Sequence, residues 1–571
     1  MATGIDRRPR AGQRAGLAML VDVAAGSHRR AAAVLIVLCL LAFLPGFFTT
    51  PPVDRDEARF AEATKQMVLT GDYVDIRFQD QARYKKPIGI YWLQAAVVKT
   101  ADLLQLRRAT KVISLYRVPS LLGAIGAVLL TYWAALAFVS RRAAVLAGVM
   151  MATSVLLGFE ARLAKTDAVL LACCVAAMGA LGRGYLAGTD SQRAPANPWI
   201  VPAIFWTAMA AGILVKGPVI VLFAVLAVAA LAVVDRRIGW LAALRPGLGV
   251  LWTILLVLPW FVAITLRSGG DFFAGSLGQD LFSKVGSGQE THGLPPGTYL
   301  LLFWVTFFPG AILAGLATPA IWQARREPGA KLLLAWAFPA WIVFEAVATK
   351  LPHYVLPIYP ALAILIAGVV DHRATSRRPW LVHGTVWWFL ITVALAALII
   401  AANVVVEQQM GLIAWPFAAV AVIFALRAWW LYEEDGPERS LLRASAASVL
   451  IAMAAFGATV PRLTELFPAK QVGDFLNGVG CTPVVAAAGY NEPSLVFFAG
   501  AATQQTDGAG AADFLYPGGC RFAVVERAQE RAFVLRADTI GLRYGVATRI
   551  DGINLAVGRR ISLAVFRAER N

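Results

Sequence analysis

The sequence predicts an α-helical protein that crosses a membrane many times and ends in a small α/β domain. Three observations predict it. Apolar residues make up 58% of the 571 and charged residues 15%, whereas soluble domains are nearer half and a quarter. The apolar residues also come in runs long enough to cross about 30 Å of hydrocarbon. Beyond residue 460 those runs stop, and short β-rich stretches alternate with helical ones.

The first run, 31–49, follows a basic segment carrying Arg7, Arg8, Arg10, Arg14, Arg29 and Arg30. It is long and lacks a small-residue cleavage site, so it reads as an uncleaved signal anchor behind a cytoplasmic segment, 1–30. Twelve more runs follow at 118–139, 143–159, 168–184, 198–215, 218–234, 247–266, 297–322, 332–348, 353–370, 380–402, 412–432 and 441–460. About thirteen transmembrane helices are therefore expected over 31–460.

Basic clusters such as Arg141-Arg142, Arg236-Arg237, Arg325-Arg326 and Arg377-Arg378 occupy every second connection. The positive-inside rule makes those connections cytoplasmic. They account for a net charge of +17 through topology and anionic lipid, with no nucleic-acid partner. The connections 50–117, 160–167, 216–217, 267–296, 349–352 and 403–411 then face outward. The first of these is also basic, but long loops translocate largely regardless of charge. An odd number of spans puts 461–571 outside too, as a periplasmic domain.

In that domain Val484–Ala488 and Phe522–Val525 read as strands and Glu526–Arg536 as a helix. Cys481 and Cys520 each precede one of the strands. If the strands are parallel neighbours, the cysteines share an edge within disulfide reach, in an oxidising compartment. Cys39, Cys173 and Cys174 fall inside apolar runs and read as packing residues.

Ionisable residues concentrate in the outward loops. The stretch Asp54-Arg55-Asp56-Glu57-Ala58-Arg59 follows the first span and predicts a helix start, with Asp54 as its cap and acids in the first turn. Farther on, Tyr84-Lys85-Lys86-Pro87 precedes a second interfacial helix whose N-terminus would favour a phosphate. Glu160, Arg162, Lys165 and Asp167 form another group, as do Lys216-Gly217-Pro218, Lys284 with Glu290 and His292, and Lys350 with His353 and Tyr354. Each alone is an ordinary interface anchor or cap. Their recurrence across five separate loops on one face points to function, because ionisable residues near a membrane are costly. Several cations with a few carboxylates suit an anionic phosphate substrate and a general base.

These same segments resemble the bacterial lipid A aminoarabinose transferases, relatives of the protein O-mannosyltransferases within the GT-C glycosyltransferases. The resemblance rests on the first-loop acids, Tyr84-Lys85-Lys86-Pro87, Lys216-Gly217-Pro218, Pro259-Trp260 and the segment from Lys350 to Pro360. It implies a GT-C fold, an undecaprenyl (polyprenyl) phosphate-linked sugar donor, and inverting transfer to a lipid A or other envelope glycolipid acceptor. Asp56 would be the catalytic carboxylate, with Glu57 and Arg59 orienting it and Asp167 as the second acid of the catalytic set. Arg59, Lys85, Lys86, Lys216 and Lys284 would hold the donor phosphate. Tyr84, Glu290, His292, Lys350, His353 and Tyr354 are further substrate-binding candidates. The family's zinc site has a glutamate where this chain has Lys85 and a histidine near Asp280, so no metal and no other cofactor is expected.

Two other readings remain. A protein acceptor is the alternative within the enzymes. A transporter or flippase of lipid-linked precursors would carry ionisable residues near mid-membrane and repeated halves, neither of which appears in this sequence.

Overall fold

The computed structural model describes residues 16–190, 197–276 and 294–569. Lys284, Glu290, His292 and Asp280 lie outside that set. Every one of the thirteen apolar runs falls on a helix or a broken helix pair. Among the described residues, eight helices are long and apolar enough to cross a membrane by themselves. The pair Thr298–Thr306 and Gly310–Ala324, bent by 116°, makes a ninth if it is one span. Ile200–Lys216 and Val219–Asp235 are apolar but shorter. Pro246–Ser268 shows why this is a membrane protein: Leu251, Leu255, Leu258 and Val262 are all exposed along it, an apolar face that water would not tolerate at this length.

The helix ends meet in two sets, and membership alternates along the chain. At one end Arg142 pairs with Asp22 and Glu438, Ser140 donates to Asp371 at 2.6 Å, and Asp235 joins Tyr185 and Lys331. At the other end Arg267 meets Asp72, Lys216 meets Asp167, the Tyr299 hydroxyl donates to the Leu351 carbonyl and Thr464 donates to Glu407. The basic loops thus share one side and the acid- and lysine-rich loops the other.

Two interfacial helices, Asp56–Thr70 and Gly89–Leu103, lie in the first connection on that second side. The first ends at Gly71, whose φ of 75° takes the left-handed turn that side-chain-bearing residues avoid. A short hairpin, β1 (Arg77–Phe78) and β2 (Gln81–Ala82), separates the two helices.

The C-terminal α/β unit has five strands: β3 (Val484–Ala488), β4 (Gln504–Thr506), β5 (Arg521–Glu526), β6 (Tyr544–Asn554) and β7 (Arg559–Ala568). Their order is β4-β3-β5-β7-β6. β3 lies parallel to β5 with Val484 opposite Arg521. The Val485 and Val524 side chains pack on one face of the sheet, and Ala523 and Val525 on the other, each face covered by helices. Cys481 and Cys520 are joined in a disulfide at the shared strand edge, with a Cα separation of 6.2 Å.

This unit sits on the first connection. Lys65 donates to the Phe497 carbonyl at 2.8 Å, Gln79 to Thr503 at 2.6 Å, and Arg55 to Ala556. It is therefore on the same side as the acidic and lysine-rich loops.

Candidate active site

The site begins with two adjacent helix ends of opposite polarity. Asp167 stands in the first turn of Asp167–Thr189, and Lys216 closes Ile200–Lys216. Each charge suits its helix terminus, and the two side chains pair, both nearly buried. Gly217, with φ 68°, permits the tight reversal that leaves Lys216 at this point. Lys165 reaches Glu160 at 3.3 Å and Asp167 at 3.8 Å. Burial alone would drive the Lys165 ammonium toward neutrality, but Glu160, Asp167 and Asp56 outweigh it and raise its pKa. His353 completes the group, with Nδ1 3.6 Å from Glu160 and Nε2 3.7 Å from Asp167. Lys86 lies within electrostatic reach of the same imidazole. Lys216 also faces the Tyr354 ring at 5.6 Å.

Glu160, Asp167 and His353 bring three ligand-type atoms within 4.8 Å of one another. They make a poor metal site as they stand, because Lys216 is bonded to one Asp167 oxygen and Lys165 to one Glu160 oxygen, although Glu160 Oε2 has no hydrogen-bond partner among the described residues. A cation would have to displace both ammonium groups. The cluster is a preorganised cationic site, with carboxylates that hold its lysines in place.

Asp56 stands at the edge of this group. It is exposed, and no hydrogen bond or ion pair with another described residue engages its carboxylate. The next residue has the opposite character. Glu57 is buried and accepts from Arg117 Nε at 2.7 Å and Nη2 at 2.9 Å, from the Val53 amide at 2.8 Å and from the Ala164 amide at 2.9 Å. Arg117 in turn donates to the carbonyls of Phe47, Thr50 and Pro51. One carboxylate thus ties the end of the first span, the start of the interfacial helix and the 160–167 connection together, and presents Asp56 beyond them.

Several sequence expectations are corrected here. Asp54 does not cap the helix; Arg55, at φ 70°, occupies the N-cap position. Asp54 instead accepts from the Ser494 amide at 3.0 Å, and burial there, with Glu492 nearby, lifts its pKa to about 6 against the pull of Ser494 and Arg59. Glu57 has both carboxylate oxygens filled by donors. Asp167 is held between Lys216 and Lys165. Lys350 is turned inward, donating to the carbonyls of Glu345 and Val347 at the end of Pro328–Ala346, so its ammonium is not available to substrate. Arg59, Tyr84 and Lys85 line a separate cleft, and the Tyr84 hydroxyl donates to Asp75 at 2.9 Å. Arg117 and Arg83 were not among the candidates; both arginines looked like ordinary loop and span-flanking charges in the sequence.

The fold and the site define a class: a polytopic membrane protein with interfacial helices and a C-terminal α/β unit beside a lysine-rich site. Within that class the chain resembles the lipid A aminoarabinose transferases. It is 30% identical over 354 residues to the undecaprenyl phosphate-alpha-4-amino-4-deoxy-L-arabinose arabinosyl transferase of Edwardsiella ictaluri, covering 61% of this chain and 60% of that protein. The Erwinia tasmaniensis protein of the same name is 27% identical over 431 residues, 72% of this chain and 70% of that one. The chain thus spans less than two thirds of the length of the Edwardsiella protein. Residues 105–268 match the family model for dolichyl-phosphate-mannose-protein mannosyltransferase. The crystal structures of ArnT from Cupriavidus metallidurans, in the apo state and bound to undecaprenyl phosphate, share the fold. Each has a TM-score of 0.71 at 19% identity, over 95% of this chain and 98% of theirs.

Proposed function

We propose that the protein is an inverting glycosyltransferase that moves a sugar from an undecaprenyl (polyprenyl) phosphate donor onto a glycolipid acceptor of the lipid A type. The reading places the reaction at the periplasmic face of the inner membrane, with thirteen spans and the C-terminal domain outside. The observation that carries it is an open carboxylate, Asp56, anchored beside a cluster of three lysines and a histidine at one end of the helices. The resemblance to named arabinosyl transferases supports the donor class.

In this reading the donor phosphate lies against Lys86, Lys216 and Lys165, with His353 and Tyr354 beside it. As the bond from the anomeric carbon to the phosphate oxygen breaks, its electron pair leaves with the phosphate, and the lysines stabilise the charge that builds there. The acceptor oxygen attacks from the opposite side of the anomeric carbon and gives its proton to Asp56. One displacement inverts the centre. Glu57 and Arg117 keep Asp56 in position, Glu160 and Asp167 keep Lys165 charged, and Asp167 holds Lys216 in place.

A protein acceptor is the second reading, favoured by the match over 105–268 to a protein mannosyltransferase family. Purified protein in nanodiscs, given a labelled polyprenyl-phosphate sugar, separates the two. Label appearing on a lipid A-type acceptor supports the proposal. Label on peptide acceptors alone would replace it with the second reading, and no transfer to either would end both.

A further inference from the structure

One short helix of the C-terminal unit, Pro493–Ala499, lies against the helix that carries the candidate base. A helix leaves its first amides and last carbonyls without partners of its own. Here residues of the first connection bond to both ends. The Ser494 amide donates to Asp54 at 3.0 Å, and the Phe497 carbonyl accepts from Lys65 at 2.8 Å. Asp54 and Lys65 fall on either side of Asp56 in the chain, one just before the helix Asp56–Thr70 and the other within it. The two helices therefore lie side by side and run the same way.

Phe497 adds a further contact. Its side chain is fully buried in one cluster with Ala61, Tyr116 and Ala164, edge-on to the Tyr116 ring at 5.7 Å. Ala61 belongs to the helix that carries Asp56, and Ala164 to the connection that carries Glu160, Lys165 and Asp167. The C-terminal unit thus wedges one aromatic ring where the base-bearing helix meets the lysine-bearing connection.

The Lys65 bond is made at a cost. Lys65 and its ion-pair partner Glu62, 2.9 Å away, are both buried, and Glu62 Oε1 has no hydrogen-bond partner among the described residues. A buried ion pair often adds no stability over apolar residues of the same size. What apolar residues could not do here is hold the Phe497 carbonyl. The Lys65 ammonium also lies 5.3 Å from the centre of the Phe497 ring, so it engages the backbone and the side chain of that residue together.

We infer that Lys65 and Phe497 are positioning residues for the transfer: through them the C-terminal unit sets the separation of Asp56 from the lysine cluster. This rests on the transferase reading above and adds to it that the C-terminal unit is part of the catalytic framework. Arg55 and Gln79 also bond that unit to the first connection, so losing the Lys65 bond loosens the helix pair without releasing the unit.

The test uses full-length protein in nanodiscs with a labelled polyprenyl-phosphate sugar and a lipid A-type acceptor. Turnover is expressed per molecule that binds polyprenyl phosphate, so that unfolded protein does not count. Glu62→Gln combined with Lys65→Met removes both charges and leaves no lone buried ion. This paired variant is expected to lower kcat about tenfold or more, as displacing a catalytic group does, with KM for donor and acceptor unchanged. Lys65→Arg keeps a donor for the Phe497 carbonyl and should lose less. Phe497→Leu keeps an apolar side chain in the cluster and should lower kcat in the same way, which decides the matter if the paired variant does not fold. Wild-type kcat in Phe497→Leu and in the paired variant, or a raised KM at unchanged kcat, would overturn the inference. If no donor supports turnover, the transferase reading fails separately, and hydrogen exchange then tests the coupling. In the variants, amides of Asp56–Thr70 and Pro493–Ala499 should lose protection together while those of β5 and β7 keep theirs. Protection lost in Pro493–Ala499 alone, in neither helix, or throughout the C-terminal unit would overturn it.

Discussion

Replacing Glu57 with glutamine removes a charge while keeping the shape, and the four contacts of the carboxylate set the cost. Oε1 accepts from Arg117 Nε and the Ala164 amide, and Oε2 from Arg117 Nη2 and the Val53 amide. All four partners are donors. Whichever way the new amide turns, its NH2 group meets two of them and leaves both unsatisfied. A buried donor without a partner costs about 1–3 kcal/mol, and breaking a buried ion pair about 3–5 kcal/mol in all. Glu57→Gln should therefore destabilise the protein by about 3–5 kcal/mol if the helices unfold as one unit. Local loosening of the first connection would spread part of that cost into activity. Thermal unfolding in detergent, read beside donor turnover, checks this. We expect a lowered Tm, and a turnover loss larger than the change in donor affinity, because the substitution displaces Asp56. A variant with wild-type Tm and wild-type turnover would refute the anchoring role assigned to Glu57 and Arg117.

Three further outcomes are expected from the same geometry. Asp54 has a raised pKa in the folded protein, about 6 against 3.8. Its contribution is thus fullest below about pH 4 and is lost as pH rises through 6; Asp54→Asn should remove this pH dependence and stabilise the protein at pH 7 by about 3 kcal/mol, seen as a raised Tm, with Glu492 and Arg59 as the other charges nearby. Unfolding curves between pH 4.5 and 8 that stay parallel for both proteins would contradict it. Lys86→Ala should weaken polyprenyl phosphate binding, with Lys86→Arg restoring only part of it because the two cations differ in shape; equal binding by all three proteins would return Lys86 to a lipid-anchoring role. Strong chelators should leave turnover intact, since Lys165 and Lys216 each hold one carboxylate oxygen of Glu160 and Asp167; tightly bound zinc lost together with activity would show otherwise.

Much of the fold was legible because membrane helices announce themselves. Thirteen apolar runs and alternating arginine clusters gave the helices and the two sides, and the C-terminal strands and their cysteines came from short apolar stretches. Broken helices were less visible. Thr298–Thr306 and Gly310–Ala324 read as one run because composition does not record a bend of 116°. The candidate site was legible as a list of loops but not as a set of roles. Asp54 and Glu57 look alike in a helix start, yet one faces Ser494 of a domain some 440 residues away in sequence and the other faces Arg117. Lys85 and Lys86 are neighbours, but Lys85 lines the cleft while the charge of Lys86 is felt at His353. Lys350 resembles a substrate cation until its helix end is seen to need capping. Such assignments depend on contacts between distant segments, and local sequence carries no record of them.

The central claim is that Asp56 removes the proton from the acceptor, and turnover of Asp56→Asn measures it most directly. With saturating polyprenyl-phosphate sugar and a lipid A-type acceptor, the account predicts transfer lowered by a factor of about 100 or more, about 2.7 kcal/mol of barrier, with polyprenyl phosphate still bound at near wild-type affinity. Transfer above about a tenth of the wild-type rate, less than ~1.4 kcal/mol of barrier, would contradict it.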